Sequence, residues 1–523
     1  MKNLLIAVLG LFCMTSYAQQ ASCEKKAECT KQVCCEKKAE CKKKACCEKK
    51  AECKKQACCE KKAECKKQAC CEKKAECKKK ACCEKKAECK TQAKCEMEHP
   101  CFAYNATIYE LNTRQLTKEG TFKAAEAVLP ALKELGVDII WIMPIQKIGE
   151  LERKGSLGSY YAITDYCQFN PEFGTRADFE HFLGEAHKLG LKVILDWVAN
   201  HTAPDSEWTK NEGWHYRDSL GNLMVQYDWT DISKLNYENQ DMRAAMKQAM
   251  HWWMDSIGID GFRCDVAGEV PTDFWNDVMA ELRVKHPKMF TLAEDEAKAQ
   301  ELTATAFDMY YGWELHHLMN SVAQGKKTVQ DLWDYFAKVD QNIRPKAIRM
   351  NFTSNQDENS WNGTEFERMG DASNLFAAFT YIAPGMPMIY TGQPSGNHHR
   401  LAFFEKDLID RVEGAPQKEM YTKLNELREK NFALWSNEIG APMLRLETNN
   451  DKIFACVRSA VCKKSDKENT VIAIMNMSDK AQTVTVNIGD HAGSYNCMCG
   501  KTCKIKKTLK LKMKPWQHMI LTK

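Results

Sequence analysis

The chain has 523 residues, 44% of them apolar, and a formal net charge of +5, which is enough for two or three packed units with sizeable cores. The charge is unevenly placed. Cys23 to Cys101 carries 25 Lys against 14 Glu, so the rest of the chain is mildly acidic, and neither a nucleic-acid enzyme nor an acid-substrate enzyme is indicated for that body.

Residues 1–18 read as a secretory signal: Lys2 gives the positive start, Leu4 to Phe12 the apolar run, and Ser16-Tyr17-Ala18 the small-residue cleavage site. The bulky Phe12 before Cys13 argues against lipoprotein-type cleavage at that cysteine. No later stretch approaches the roughly 20 apolar residues of a membrane span. The expectation is export, to a secreted, periplasmic or cell-surface location.

Residues 19–101 form a low-complexity block in which Cys-Glu-Lys-Lys-Ala-Glu-Cys returns with period 12, aligning Cys35, Cys47, Cys59, Cys71 and Cys83. Helical geometry would turn each repeat by about 120°, so the thiols make no single stripe. Apolar residues other than Ala and Cys are nearly absent, so the block is expected to be disordered. Of the 27 cysteines, 19 lie here. Three readings stay open: an oxidised stalk, a soft-metal store, and a basic tether that attaches the protein to an anionic surface.

From Phe102 the composition turns globular. Strand-like runs around Ile108-Tyr109 and at Ile139–Ile145, Lys192–Val198, Gly261–Ala267, Phe290–Ala293, Phe307–Tyr311, Ala347–Phe352 and Met386–Tyr390 alternate with amphipathic stretches such as Ala124–Leu135 and Ala177–Leu189. This alternation predicts an α/β fold, a closed (β/α)8 barrel over 102–435, although a doubly wound sheet shares the pattern. Over 436–523, short runs at Lys452–Val457, Asn469–Met475, Gln482–Ile488 and Lys507–Met513 predict an antiparallel β-sandwich. Its five cysteines, Cys497, Cys499 and Cys503 among them, leave disulfides or a weak metal site open.

Four predicted strands end in polar residues that a plain core would not tolerate: Asp196-Trp-Val-Ala-Asn200-His201, Gly261-Phe-Arg263-Cys-Asp265, Leu292-Ala-Glu294-Asp-Glu296 and Asn355-Gln356-Asp357. In a barrel the C-terminal strand ends converge. Paired carboxylates meeting there suit glycosidic cleavage, in which retention needs a nucleophile and an acid about 5–5.5 Å apart. Asp265 suits the nucleophile, because Arg263 shares its face of the strand and would hold the carboxylate ionised and its pKa low. Glu294, with Leu292 and Ala293 before it, suits an acid raised by desolvation. Glu296 shares its face by parity and competes for that role. Asp357 would bind sugar hydroxyls and stabilise the oxocarbenium-like transition state.

In these motifs the chain resembles the α-amylase family, glycoside hydrolase family 13, over roughly 106–411. Further resemblance lies in Ile108-Tyr-Glu-Leu-Asn, Trp141-Ile-Met-Pro144, Gly158-Ser-Tyr-Tyr161-Ala-Ile-Thr-Asp165-Tyr, Phe173-Gly-Thr175 and Gly385-Met-Pro-Met-Ile-Tyr-Thr-Gly392-Gln. The resemblance implies Asp265 as nucleophile, Glu294 as acid/base and Asp357 as transition-state stabiliser. It implies Tyr161, His201, Arg263 and Gln356 as substrate-binding residues, with Asp165 supporting the loop. It also implies an inserted domain B after the third strand, short here at about 202–237. Gln356 stands where the family usually has His, Pro394 where Glu is usual, and Gly268-Glu269 where many amylases carry Lys-His on the acceptor side. Asn200 resembles a family calcium ligand whose usual partner near 269 is changed, which makes calcium an option rather than a requirement.

The implied activity is retaining hydrolysis of α-1,4-glucans such as starch or maltodextrin. The alternatives are a cyclomaltodextrinase or glucan transferase of the same family, and a catalytically weak glucan-binding surface protein, which the Gln at 356 would favour.

Overall fold

A computed structural model describes residues 99–342, 347–462 and 467–523; the signal segment and the repeat up to residue 98 lie outside the described residues. Eight strands form a closed, all-parallel barrel: β1 (Ile108–Leu111), β2 (Ile139–Ile142), β3 (Lys192–Trp197), β4 (Gly261–Cys264), β5 (Phe290–Ala293), β6 (Met309–Tyr311), β7 (Ile348–Asn351) and β8 (Met386–Tyr390). Each strand pairs with its neighbours in sequence, and β1 closes on β8. The doubly wound alternative is thereby removed. All eight predicted runs hold a barrel strand, trimmed mostly at the C-terminal side, where backbone pairing gives way to the loops that carry polar side chains.

Local sequence chemistry makes the connections. The helix α1 (Leu129–Leu135) stops at Gly136, whose φ of 94° lets its N–H cap the last turn. The next, α2 (Arg176–Lys188), starts with a capping box in which Thr175 and Asp178 satisfy each other's backbone N–H. It turns Phe179, Phe182, Leu183 and Ala186 onto the barrel, the i, i+3, i+4, i+7 spacing of one helical face. Gly261 opens β4 with its Cα so close to β5 that a Cβ would lie 1.8 Å from the Phe290 carbonyl oxygen. Only a residue without a side chain lets these two strands, the carriers of Asp265 and Glu294, pack at that distance.

Residues 201–237 leave the barrel after β3 as a short excursion, held by pairing of His201–Thr202 with Ser233–Lys234. A second excursion follows β2, where Gln146–Ile148 pairs with Ile163–Phe169. Beyond the barrel come β9 (Leu444–Arg445), β10 (Ile453–Cys462), β11 (Lys467–Asn476), β12 (Gln482–Asn487), β13 (Gly493–Cys497), β14 (Thr502–Ile505), β15 (Thr508–Met513) and β16 (His518–Thr522). They form a six-stranded antiparallel sheet, β9-β10-β11-β16-β13-β14, and a β12-β15 ribbon. Ile472, Ile474 and Leu521 of the sheet share one core with Val484, Val486 and Met513 of the ribbon. Cys497 pairs with Cys499, and Cys503 is a free thiol.

His99 to Ala103, at the end of the segment read as repeat, already pack under the barrel. His99 is buried with Nδ1 2.7 Å from Asp308 Oδ1, and Phe102 meets Phe290 edge to face. Asp308 and Phe290 stand at the N-terminal ends of β6 and β5, so the described chain enters the barrel on the side opposite its C-terminal strand ends. Among the described residues no helix is long and apolar enough to cross a membrane.

Candidate active site

The strand ladders deliver the site directly. Asp196 of β3 stands opposite Arg263 of β4 in register. The ladder continues one residue past the strands, with Asp265 N–H on the Trp197 carbonyl (2.9 Å) and Glu294 N–H on the Cys264 carbonyl (3.0 Å). Asp265 and Glu294 are thus fixed by backbone hydrogen bonds of the barrel rather than by free loops.

Arg263, wholly buried, ties the centre together. Its Nη1 donates to Asp196 Oδ1 (2.8 Å) and Asp265 Oδ1 (2.9 Å), and Nε donates to the Tyr311 hydroxyl (3.1 Å). Its Nη2 lies 2.8 Å from Glu294 Oε2, an ionic contact whose angle is not that of a hydrogen bond. The guanidinium sits 4.9 Å from the centre of the Trp141 ring, whose Nε1 donates to Asp196 Oδ2 (3.0 Å). One guanidinium thus contacts Asp265 and Glu294 alike, through Nη1 and Nη2.

Burial sets the acidities. It pushes Glu294 up to about 7, against the pull of Arg263. It also pushes Asp265 up, to about 6, where the nearby Arg263 was expected to hold it low. The reason is that one guanidinium serves Asp196, Asp265 and Glu294 together, so its charge is divided while each carboxylate loses its water. Asp357 is likewise raised by burial and then by Glu294. Glu294 Oε2 also accepts the Val266 N–H at 2.8 Å. Val266, a β-branched residue, holds φ 38° and ψ 47° to aim that N–H, a backbone conformation that costs energy outside glycine.

The other predicted residues gather on one side. Tyr161 donates its hydroxyl proton to Asp196 Oδ2 (3.0 Å) and accepts from Gln356 Nε2 (2.9 Å), which also reaches Asp357 Oδ2 (3.2 Å). Gln356 Oε1 is buried without a hydrogen-bond partner among the described residues. His201 is buried, and desolvation lowers it to about 4, so its imidazole is neutral. Tyr161, His201, Asp265, Glu294, Gln356 and Asp357 line one cavity of about 580 Å³. Asp165 lies off it and accepts the Cys167 N–H at 2.8 Å. Glu296 also leaves the site: β5 ends at Ala293, parity ends with it, and the Glu296 carboxylate accepts from the Glu314 N–H and the Tyr335 hydroxyl.

Asn200 belongs to a relay. Its Nδ2 donates to Gln226 Oε1 (2.7 Å), and Gln226 Nε2 donates to Glu269 Oε2 (3.1 Å), whose Oε1 accepts from Tyr227 (3.0 Å). Calcium needs six to eight oxygen ligands, whereas here N–H donors face the acceptors and both Glu269 oxygens are engaged. These residues do not fit a calcium cage.

Sequence reasoning missed the role of Asp196, although its motif was visible, and it missed Glu110. The Glu110 side chain is fully buried, accepts the Gln356 N–H (3.3 Å), and is pushed well above the usual carboxylate range by burial. A Glu inside an otherwise apolar strand was the available signal. Lys154, Trp229, Asp231, Trp361 and Phe403 also line the cavity. They come from loops and, for Trp361, a short helix (Glu358–Asn362) that no local pattern connects.

The family model described as alpha amylase, catalytic domain, matches residues 105–213 and 209–438. Alpha-amylase MalA of Haloarcula japonica is 27% identical over 316 residues, covering 58% of this chain and 46% of the relative. Alpha-amylase 3 of Dictyoglomus thermophilum is 25% identical over 330 residues, covering 56% and 64%. The chain thus spans about half the length of the curated relatives it matches. An alpha-amylase structure from Lactobacillus plantarum superposes with a TM-score of 0.71 at 28% identity, covering 80% of this chain and 99% of that one. A noncanonic maltogenic alpha-amylase from Thermotoga neapolitana gives 0.71 at 25%, covering 80% and 98%.

Proposed function

Because the chain belongs to the α-amylase catalytic-domain family, we propose that it hydrolyses α-1,4-glucosidic bonds of starch-type glucans with retention of configuration. The observation that carries this reading is the single buried guanidinium of Arg263 joining Asp265 and Glu294 at the cavity floor.

Asp265 attacks the anomeric carbon as the bond to the leaving oxygen breaks, and Glu294 gives that oxygen its proton. Arg263 and the Val266 N–H both address Glu294 Oε2, so the transferable proton resides on Oε1. Water then attacks the same carbon, Glu294 takes its proton, and the ester bond to Asp265 breaks to return the carboxylate. Two inversions give retention. Asp357 faces the developing positive charge, and the unpartnered Gln356 Oε1 accepts a hydroxyl proton of the donor sugar. A Gln does this work without the charge of an imidazolium, which answers the departure from the family's His.

Names among the relatives, such as an oligo-1,6-glucosidase from Parageobacillus thermoglucosidasius, mark the range of linkages against which the α-1,4 reading is tested. The test is product analysis on soluble starch and maltooligosaccharides beside Asp265→Asn. Wild type is expected to release short maltooligosaccharides. The variant is expected to lose at least about 10³-fold of the rate yet melt no lower than wild type, because a crowded buried carboxylate has been removed. Turnover by Asp265→Asn at the wild-type rate would overturn the assignment, and binding without products from wild type would favour the weak glucan-binding reading. The amino-terminal signal features support export, and the basic Cys-rich repeat supports attachment to an anionic surface.

A further inference from the structure

The segment between β2 and Tyr161 crosses the mouth of the cavity and is fastened on both rims. On one side, Glu150 N–H donates to Asp205 Oδ2 (2.7 Å), and the Lys154 ammonium lies 3.1 Å from Asp231 Oδ1. Both aspartates belong to the excursion after β3. On the other side, Ser156 N–H donates to Glu405 Oε1 (2.9 Å) and Leu157 N–H to the Phe404 carbonyl (3.0 Å), both in the segment after β8. Gly155, at φ 63°, presses so close to Phe404 that a Cβ would stand 2.6 Å from its side chain. From beneath, Arg114 Nη1 holds the Gly158 carbonyl (2.9 Å). Lys154 bridges the rims: its ammonium also lies 6.0 Å from the Phe404 ring centre.

This strap lies on the side of Tyr161, Gln356 and Asp357. An aromatic wall backs it: Phe403 stacks on Tyr161 at 19°, and Trp361, 54% exposed, leans on Phe403 at 5.4 Å between ring centres. Past Val266 and Glu294 stand the exposed Tyr227 and Glu269, joined through the Tyr227 hydroxyl, and the strap approaches this loop through Lys154, whose ammonium lies 3.4 Å from the Asp228 carbonyl. In the proposed mechanism Asp265 bonds to the donor sugar and Glu294 protonates the acceptor's oxygen. The strapped side therefore receives the donor and the other side the acceptor chain.

We propose, resting on the hydrolase reading above, that the Gly149–Tyr160 strap makes the donor side a dead end, so that the protein acts on non-reducing chain ends of maltooligosaccharides rather than on internal bonds. Lys154, Phe404 and Trp361 are then the residues that determine specificity, because they form the end wall against which the terminal sugar stops. The wall is braced by an ion pair with Asp231, whose side chain is only 6% exposed, so the terminal hydroxyls meet a rigid boundary.

The test uses maltoheptaose labelled at its reducing end, with the non-reducing terminal sugar either free or closed by a 4,6-O-acetal. The full chain is expected to shorten the free substrate from the unlabelled end in fixed small steps and to turn over the blocked one at least about tenfold more slowly, the penalty of a group that a fitted pocket cannot admit. In Lys154→Ala/Trp361→Ala, with folding checked by thermal melting, the ratio of blocked to free turnover is expected to rise several-fold. Equal rates on the two substrates in wild type, with a broad spread of labelled products, would overturn the dead-end donor side and leave hydrolysis standing. No cleavage of either would overturn the hydrolase reading and this inference with it.

Discussion

At the scale of single residues, five buried carboxyl groups, Glu110, Asp196, Asp265, Glu294 and Asp357, surround one arginine. Burial works against every one of these charges, which raises each pKa above its ordinary value. Glu294 stands above Asp265, so in the proposed mechanism a proton rests on Glu294 while Asp265 is ionised. The sign of the pH dependence follows. As pH falls through about 6, Asp265 takes up its proton and attack fails; as pH rises through about 7, Glu294 loses its proton and the leaving oxygen has no donor. The two steps belong to the coupled pair. A profile of kcat/KM against pH is expected to be bell-shaped with a mildly acidic maximum, and Glu294→Gln is expected to lose the alkaline limb along with most of the rate. A plateau persisting to pH 9 would contradict Glu294 as the acid. The expectation that Arg263 lowers Asp265 failed for a countable reason: adjacency in sequence gave one partner, and the fold gave that partner three carboxylates.

At the scale of elements, the loops decide what the strands cannot. The relay Asn200–Gln226–Glu269 links the excursion after β3 to the turn after β4 by side-chain hydrogen bonds, a cross-link that serves where a cation would otherwise be needed. A chelator is therefore expected to change neither the melting temperature nor the activity. Gln226→Ala is expected to cost about 1 kcal/mol of stability, because it removes the closer acceptor of the buried Asn200 amide and breaks the link to Glu269. A chelator-induced fall in melting temperature, restored by calcium, would contradict this account. The strap after β2 is the other such element, and it converts a pocket common to the barrel's strand ends into one with a closed side.

At the scale of the whole molecule, the site and the entry of the chain lie at opposite ends of the barrel. His99 is fixed to Asp308, and Phe102 to Phe290, at the N-terminal strand ends, away from the C-terminal strand ends that carry the cavity. Deleting residues 19–98 is expected to leave kcat and KM within about twofold of wild type, and extending the deletion through Phe102 is expected to lower the melting temperature by several degrees through loss of that packing. Loss of activity from the shorter deletion would give the repeat a part in catalysis. How much of this was legible follows from the range of the interactions. Alternating apolar runs already carried the eight barrel strands, because strand and helix periodicity are local, and the polar residues ending four of them already marked Asp265, Glu294 and Asp357. The short strands β9, β13, β14 and β16 lacked a clear alternating run and emerged only through pairing. Glu296 could not be separated from Glu294 until the end of β5 was known. The sequence by itself determined the barrel and the three carboxylates that line its cavity, since both arise from patterns a few residues long. Only the tertiary structure decided which groups share Arg263, that Asn200 bonds a glutamine, and that Lys154 meets Asp231 across the cavity mouth. Most of those contacts join residues tens of positions apart, and only the closing of the barrel sets their distance.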